Sequence, residues 1–441
     1  MSPTFQSLHV RNYRLFASGQ VVSNSGTWMQ RTGQDWLVLQ LTHGSGTALG
    51  ITTALQFLPM LVLGLFGGVI ADRYPKRRLL FGTQTLMGVL ALTLGLLTVT
   101  GQVQVWEVYA LATGLGLATV VDNPTRQAFV VEMVGPADVP NAVGLNSAVF
   151  NLARILGPAI AGLLIGWGGS GADATAPVFL LNAVSYAAVI IGLAMMRPTE
   201  LHPTTPVARQ AGQLREGIEY VRRRPDLVTI IVLIFFVGTF GMNFQVTIAL
   251  MATHVFHSTA LAYGVLSTAL AAGSLLGALG TARRGRPRMR MLIGAAMAFG
   301  LLEIVSGLMP VYLAFLVMLV PTGYALLTLN TACNTTMQTS VDPQMRGRVM
   351  ALYLIVFIGG TPIGAPIIGW LAETVGPRSS LFIGGAVSSL AAAGCGLYLA
   401  RHHGLRMRAR WRPYPWLHVE PLAADSQQIT GVASEPVGIG R

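Results

Sequence analysis

Four ionisable side chains stand inside long apolar runs of this 441-residue chain: Arg31, Asp35, Arg154 and Glu303. Placing such a group in a lipid-immersed segment costs about 2.5 to 3.5 kcal/mol, so each is a candidate for binding a substrate or carrying a proton. Arg31 and Asp35 are four residues apart and share a face if their segment is helical, with Gln30 and Gln34 beside them. Asp35 is the expected proton carrier. Burial favours the neutral acid and a neighbouring guanidinium favours the carboxylate, so drawing Arg31 away from Asp35 would capture a proton and restoring it would release one. The competing expectation is a static Arg31–Asp35 pair near the outer surface. At about 1.5 Å of rise per residue, Asp35 and Arg154 stand at different depths, and Arg154 is expected to meet substrate or polar groups of the first helix. Glu303 is the second acid expected to take part in proton coupling.

Enzyme chemistry has no support in the residues. There is no phosphate-binding G-x-x-x-x-G-K-[ST] loop, no H-E-x-x-H and no nucleophile–base–acid arrangement. Cys333 and Cys395 lie in separate apolar runs, and His254 with His257 make two potential ligands in a loop. No cofactor and no metal are expected, and energy for any work must come from an ion gradient.

The elements that would hold these charges follow from composition. Charged residues are 10% and hydrophobic ones 52% of the chain, against about 25% charged in soluble domains, which excludes a water-soluble enzyme. The net charge of +12 suggests nucleic acid only if the basic groups share a folded, water-facing surface; here they separate apolar runs, so no nucleic-acid partner is expected. At about 20 residues per crossing, the runs read as helices near 13–41, 48–71, 79–99, 105–125, 141–167, 177–196, 226–251, 261–282, 291–309, 311–337, 349–373 and 379–400. With the N-terminus cytoplasmic, all of the 29 Lys and Arg except Arg31, Arg154 and Arg378 fall on the inner side, as the positive-inside rule requires. Both termini are then cytoplasmic and the first span is retained rather than cleaved.

The expected organisation is a six-helix half over 1–196, a cytoplasmic linker over 197–225, a second six-helix half over 226–400 and a partly disordered tail over 401–441. Within the linker, 212–224 has the pattern of a short amphipathic helix or of a solvated connector. The tail opens with a basic, aromatic stretch suited to anionic headgroups. An internal repeat supports the division: Gly157, Ile160, Gly162 and Leu164 recur as Gly364, Ile367, Gly369 and Leu371 at one constant offset.

Between the second and third spans stand Gly64, Gly67, Gly68, Ala71, Asp72, Arg73, Tyr74, Pro75, Lys76, Arg77 and Arg78. This segment resembles the G-x-x-x-D-R-x-x-R/K-R loop of the major facilitator superfamily, with Gly64, Gly68 and Ala71 as the expected small packing face. The resemblance implies a cytoplasmic latch built from Gly68, Asp72, Arg73 and Arg77, supported by Arg126 with Asp122 and Glu132, and facing Arg346 and Arg348. The second-half counterpart keeps Gly273 and Gly277 but has Thr281 and Ala282 in place of the acid and base. In the fifth span, Gly144, Ala153, Gly157, Pro158, Ala161 and Gly162 are similar to the antiporter motif of drug-exporting members, with two alanines at small positions. The family's fourth-span arginine motif is absent, since Ala110 stands before Thr113, Gly114 and Gly116.

Nearly the whole chain to about residue 400 resembles the bacterial transmembrane secretion effector branch, which includes enterobactin exporters and macrolide efflux proteins. The resemblance implies an all-α membrane protein of twelve helices in two pseudo-symmetric halves, a monomer in the bacterial cytoplasmic membrane. Its implied work is export of a small amphipathic compound by proton antiport. A lysophospholipid flippase on the same fold and a non-transporting sensor are the alternatives. The family's cavity-lining helices offer Trp28, Gln30, Gln34, Trp36, Asn243, Gln245, Asn330, Asn334 and Gln338 as expected substrate contacts.

Overall fold

A backbone in lipid must satisfy its own hydrogen bonds, and an apolar run of twenty residues does so as a helix. The computed structural model describes residues 3–202, 213–282, 289–402, 405–410 and 416–421. Its helices are α1 (Arg11–Leu41), α2 (Gly46–Arg73) and α3 (Lys76–Val99), then the 63-residue stretch Val105–Trp167. That stretch would be about 95 Å long if straight, three times a bilayer core. It breaks at Gly135, whose φ of 72° is one that side-chain-bearing residues rarely adopt, so we label it α4 before the break and α5 after it. There follow α6 (Ala176–Ala194), the linker helix α7 (Gln213–Arg222), α8 (Pro225–Val255), α9 (Ala260–Ala282), α10 (Met289–Leu308), α11 (Tyr312–Ser340), α12 (Arg346–Thr374) and α13 (Pro377–His402).

Ten helices among the described residues are long and apolar enough to cross a membrane. Counting Val105–Trp167 twice gives eleven, and α1 is the twelfth. It is less apolar than the others because it carries Asn12, Gln20, Asn24, Gln30, Gln34 and Asp35, all buried. A span that carries this many polar groups inside the bundle is one that the interior needs.

The two halves meet along α2 with α12 and α5 with α9, and glycine makes these crossings possible. A Cβ on Gly46 or Gly50 would run into the α12 backbone at Gly369 and Ala365, and one on Gly162 would stand 3.2 Å from the Cα of Gly264. The repeat is visible here. Gly157 abuts Trp28 of α1 while its counterpart Gly364 abuts Thr239 of α8; Gly162 abuts α9 while Gly369 abuts α2. Each half thus uses the same pair of small positions, one against its own first span and one against the other half.

These contacts sit toward the ends of the helices that lack basic residues. Glu373 Oε2 at the end of α12 accepts from Ser45 Oγ at 2.9 Å and from Thr47 N at 2.8 Å, placing a carboxylate on the N-terminus of α2, where the helix dipole favours it. Thr268 Oγ1 donates to the Ile155 carbonyl at 3.2 Å. Nearer the basic end, Gly144 and Gly347 have nothing within 4 Å of where a Cβ would stand.

At the basic end the structure redraws the expected latch. The close approach of α2 to α4 is made by Gly67, against the Val120 backbone, and by buried Ala71; Gly64 meets only Met60 of its own helix and Gly68 is half-buried. Of the expected face Ala71 is buried, while Gly67, one turn before it, makes the close contact expected of Gly64 and Gly68. Arg77 donates to the Leu193 and Ala194 carbonyls at the end of α6, at 2.8 and 3.3 Å. Asp72 is half-buried and Arg73 exposed at the end of α2.

Arg126 pairs with Asp122 and donates to Gln20 Oε1 at 2.6 Å and Asn24 Oδ1 at 2.9 Å. Glu132 is held by Lys76 at 2.9 Å rather than by Arg126. Arg126→Leu leaves Asp122, whose side chain is 1% exposed, with only its Thr83 and Gln84 donors. Stranding a buried charge costs about 3 to 5 kcal/mol, so this variant should show a clearly lowered melting temperature in detergent.

The linker segment is a helix that leans on the second half. Glu216 pairs with Arg348, Tyr220 Oη donates to Asp342 Oδ2 at 3.0 Å, and Arg224 holds Asp226 by two bonds of 3.0 and 2.7 Å. Arg348 is thus engaged by the linker, and Arg346 lies at the first turn of α12. After α13 the backbone of Leu405–Arg410 pairs antiparallel with Trp416–Pro421, at the start of the tail. The tail beyond residue 421 and the stretch 283–288 that carries part of the second-half counterpart lie outside the described residues.

Candidate functional site

Trp28, Arg31, Thr32 and Asp35 recur every three or four residues along α1 and form one stripe, and this stripe borders a cavity of about 190 Å³. The opposite face of α1 is fixed by α6. Asn182 Nδ2 donates to Gln30 Oε1 at 2.5 Å, and a Cβ on Gly33 would stand 2.8 Å from Val178. With Gln30 engaged outward, the stripe can only face inward.

Across the cavity, α5 presses on α1 because Gly157 has no side chain: a Cβ there would come within 2.5 Å of the Trp28 Cβ. This contact brings Arg154, one turn earlier, to the face of Trp28, its guanidinium carbon 5.7 Å from the ring centre. The Arg31 guanidinium lies 4.9 Å from the same ring and 5.3 Å from Phe57. Each such cation–ring contact contributes about 0.5 to 2 kcal/mol. No hydrogen bond or ion pair reaches either guanidinium among the described residues, and Arg31 Nε is buried without a partner.

The third wall comes from α8, which is not a uniform helix. A wide turn over Val237–Gly241, closed by Met242 N to Val237 O at 3.0 Å, shifts the register, a feature often found where a helix serves a site. Met242, Asn243, Phe244, Gln245 and Val246 then border the cavity in a row that a regular helix would not present.

Asp35 is 1% exposed and its partners come from the other half. Gln245 Nε2 donates to Oδ1 at 2.9 Å and Tyr263 Oη on α9 donates to Oδ2 at 2.9 Å. The expected static pair with Arg31 is replaced by these two bonds, because one helical turn points the longer side chain down the cavity while the carboxyl reaches across to α8 and α9. Tyr263 is itself stacked on Trp36, ring centres 6.3 Å apart, and Trp36 Nε1 donates to the Ser170 carbonyl at 2.9 Å. Trp36 is therefore a brace behind Tyr263.

Glu303 stands apart from the cavity. It is 2% exposed, wedged between Gly241 of α8 and Gly384 of α13, and its Oε2 has no partner. Of the expected contact residues, Trp28, Asn243 and Gln245 line the cavity. Gln34, Asn330 and Asn334 do not: Gln34 is 1% exposed with an unpartnered Nε2, and Asn334 accepts from Gln338 at 2.6 Å. The two on α11 lie past the stretch that reaches the cavity, which is represented by Leu326. Phe57, Tyr263 and Ser267 line it unannounced; a tyrosine in an apolar span was the one visible signal for Tyr263. In the antiporter-like motif, Gly157, Pro158 and Gly162 form the contacts of α5 with α1 and α9, whereas Gly144 faces open space.

Several known proteins are similar to this chain in sequence or in fold. The chain is 24% identical over 375 residues to the staphyloferrin A transporter of Staphylococcus aureus, covering 82% of this chain and 90% of that one. It is 27% identical to the multidrug efflux pump Tap of Mycolicibacterium fortuitum, with 82% and 89% covered. The enterobactin exporter of Citrobacter koseri is 25% identical, with 79% and 82% covered. Among solved structures, a bacterial homologue of the human lysosomal transporter Spinster, in an inward-facing and unoccupied conformation, matches with a TM-score of 0.69 at 16% identity, covering 90% of this chain and 97% of that one. A bacterial homologue of the iron transporter ferroportin also matches with a TM-score of 0.69, at 14% identity, covering 88% and 98%. Those structural likenesses establish the fold. The family model described as transmembrane secretion effector matches residues 2–417, and the chain belongs to that family, a group of membrane transporters of the major facilitator superfamily rather than enzymes.

Proposed function

We propose that the protein is a secondary exporter of the bacterial cytoplasmic membrane that moves a small amphipathic compound outward in exchange for protons. The observation that carries this reading is the cavity between the halves, with Asp35 of the first half held, among the described residues, by two donors of the second. The names of the relatives, a siderophore transporter, a drug efflux pump and an enterobactin exporter, support the direction. The basic end is cytoplasmic by the positive-inside rule, which puts both termini inside and makes this the inward-facing state. The halves 1–196 and 226–400 rock about the cavity, the 197–225 linker travels with the second half, and one chain suffices.

In this mechanism Asp35 exchanges a proton as the outer contacts open. As a carboxylate it accepts from Gln245 and Tyr263 together; once protonated it keeps one acceptor and becomes a donor, which loosens the tie across the halves. Closure of the basic end then brings Asp72, Arg73 and Arg77 toward the Arg346 and Arg348 turn, and Arg348 exchanges Glu216 for the latch. Arg31 and Arg154 act on the cargo and bias Asp35 through their charge.

Glu303, distant from the cavity, is a packing acid in this scheme. Glu303→Gln should keep more than half of wild-type flux. The deciding measurement uses purified protein in proteoliposomes with an imposed pH gradient and a panel of amphipathic dyes and drugs. Gradient-dependent movement of at least one compound is expected, and movement of none would end the exporter reading.

A further inference from the structure

Two cations border the cavity of this transporter, and among the described residues no carboxylate is bonded to either of them. Arg31 and Arg154 both border the cavity, both lie over Trp28, and neither has a hydrogen-bond or ion-pair partner among the described residues. The acid that also lines the cavity, Asp35, has one donor on each oxygen, from Gln245 and Tyr263. Glu303 lies in another part of the bundle, against Gly241 and Gly384. Packed around the two guanidinium groups are the rings of Trp28 and Phe57 and, on the far wall, Phe244 and Leu270.

Two like charges against one indole ring repel each other, and an apolar surround denies them the dielectric that would screen the repulsion. An anion placed between them removes both penalties, and the planar five-donor guanidinium fits an oxyanion by paired bonds. Both guanidinium groups lie against the Trp28 ring, and Gly157 is what permits that geometry, since any side chain there would push α5 and Arg154 away from Trp28. A cationic compound meets the opposite situation. We propose that the exporter selects amphipathic compounds that carry an oxyanion of the carboxylate class, bound between Arg31 and Arg154, with the apolar body laid against Trp28, Phe57 and Phe244. This assignment rests on the exporter reading and narrows it to anionic cargo.

The test uses the full-length protein in detergent and matched probes that differ only in charge: 1-naphthaleneacetate, its neutral amide and 1-naphthyl phosphate, titrated by calorimetry. The carboxylate should bind at least about tenfold more tightly than the amide, a difference of about 1.4 kcal/mol. Naphthyl phosphate separates a general oxyanion site from a carboxylate site: carboxylate-equal or weaker binding supports the assignment, and binding tenfold tighter than the carboxylate overturns it in favour of a phosphate or lipid-headgroup site. Arg31→Gln and Arg154→Gln should each erase most of the preference, while Arg31→Lys and Arg154→Lys keep part of it and serve as folding controls through unchanged melting temperature. Equal binding of acid and amide, failure of the acid to bind, or a preference that survives in the double glutamine variant overturns the proposal. The same probes in gradient-energised proteoliposomes test export separately: anion-selective binding without movement sinks the exporter reading and leaves the binding site, whereas movement without anion preference does the reverse.

Discussion

Asp35→Asn should abolish transport driven by a pH gradient while leaving the protein folded and able to bind its cargo. The amide has nearly the shape of the carboxyl, retains one acceptor for Gln245 or Tyr263, and offers an N–H that the Gln245 carbonyl or the Tyr263 hydroxyl can accept. What it lacks is a titratable proton. As a carboxylate, Asp35 accepts one bond from each neighbouring helix at 2.9 Å, and bonds to a charged acceptor contribute about 1.5 to 3 kcal/mol each. A tie of roughly 3 to 6 kcal/mol that is present in one protonation state and weakened in the other is ample to shift a two-state equilibrium a hundredfold or more. Gradient-driven uptake into everted vesicles is therefore expected to fall to the level of vesicles lacking the protein, with probe binding within about threefold of wild type. If Asp35→Asn transports with an undiminished pH response, Asp35 does not carry the coupled proton.

Gly50→Leu should be nearly as severe by a different route. At this crossing a Cβ would stand 2.9 Å from the Pro366 Cα and closer still to the Ala365 carbonyl oxygen, so the obstacle is backbone rather than a side chain that can turn aside. Overpacking costs about 1 to 3 kcal/mol in a core that can adjust, and here the cost falls only on the state in which α2 and α12 touch. Opening this end relieves it. Populations should therefore move toward the state open at the end away from the basic loops, and cycling should stop. A Ser267→Cys thiol on the cavity wall reports the change, because Cys333 and Cys395 are both buried. In Gly50→Leu it should react with a membrane-impermeant maleimide from the outside, and in the Gly50 parent it should not. Wild-type flux in Gly50→Leu would show that this contact is not part of the cycle.

Much of the architecture was legible because lipid leaves few options. Apolar runs of about twenty residues must be helices, and the intervals between basic clusters located them to within a few residues, as with α3, expected from 79 and observed from Lys76. Small residues at fixed spacing announced close crossings, and Gly157 and Gly162 make them. What failed was rotation. On α2 the expected Ala71 is buried, but the close contact is made by Gly67 rather than by Gly64 and Gly68, and Gln30 and Gln34 turn away from the cavity that their helix borders.

By itself the sequence determined that this chain lives in a membrane, how many times it crosses, where its basic loops stand and which few charges are buried, since each of these follows from local composition and the high cost of a charge in lipid. Only the tertiary structure decided which partners those charges have. Arg31 and Asp35 are four residues apart and looked like a pair, yet the acid is held by Gln245 and Tyr263, more than two hundred positions away, and the arginine lies with Arg154 on Trp28. Such pairings depend on the azimuth of each helix, on the wide turn in α8 and on glycines that let backbones touch, and these are settled by packing among all the spans together.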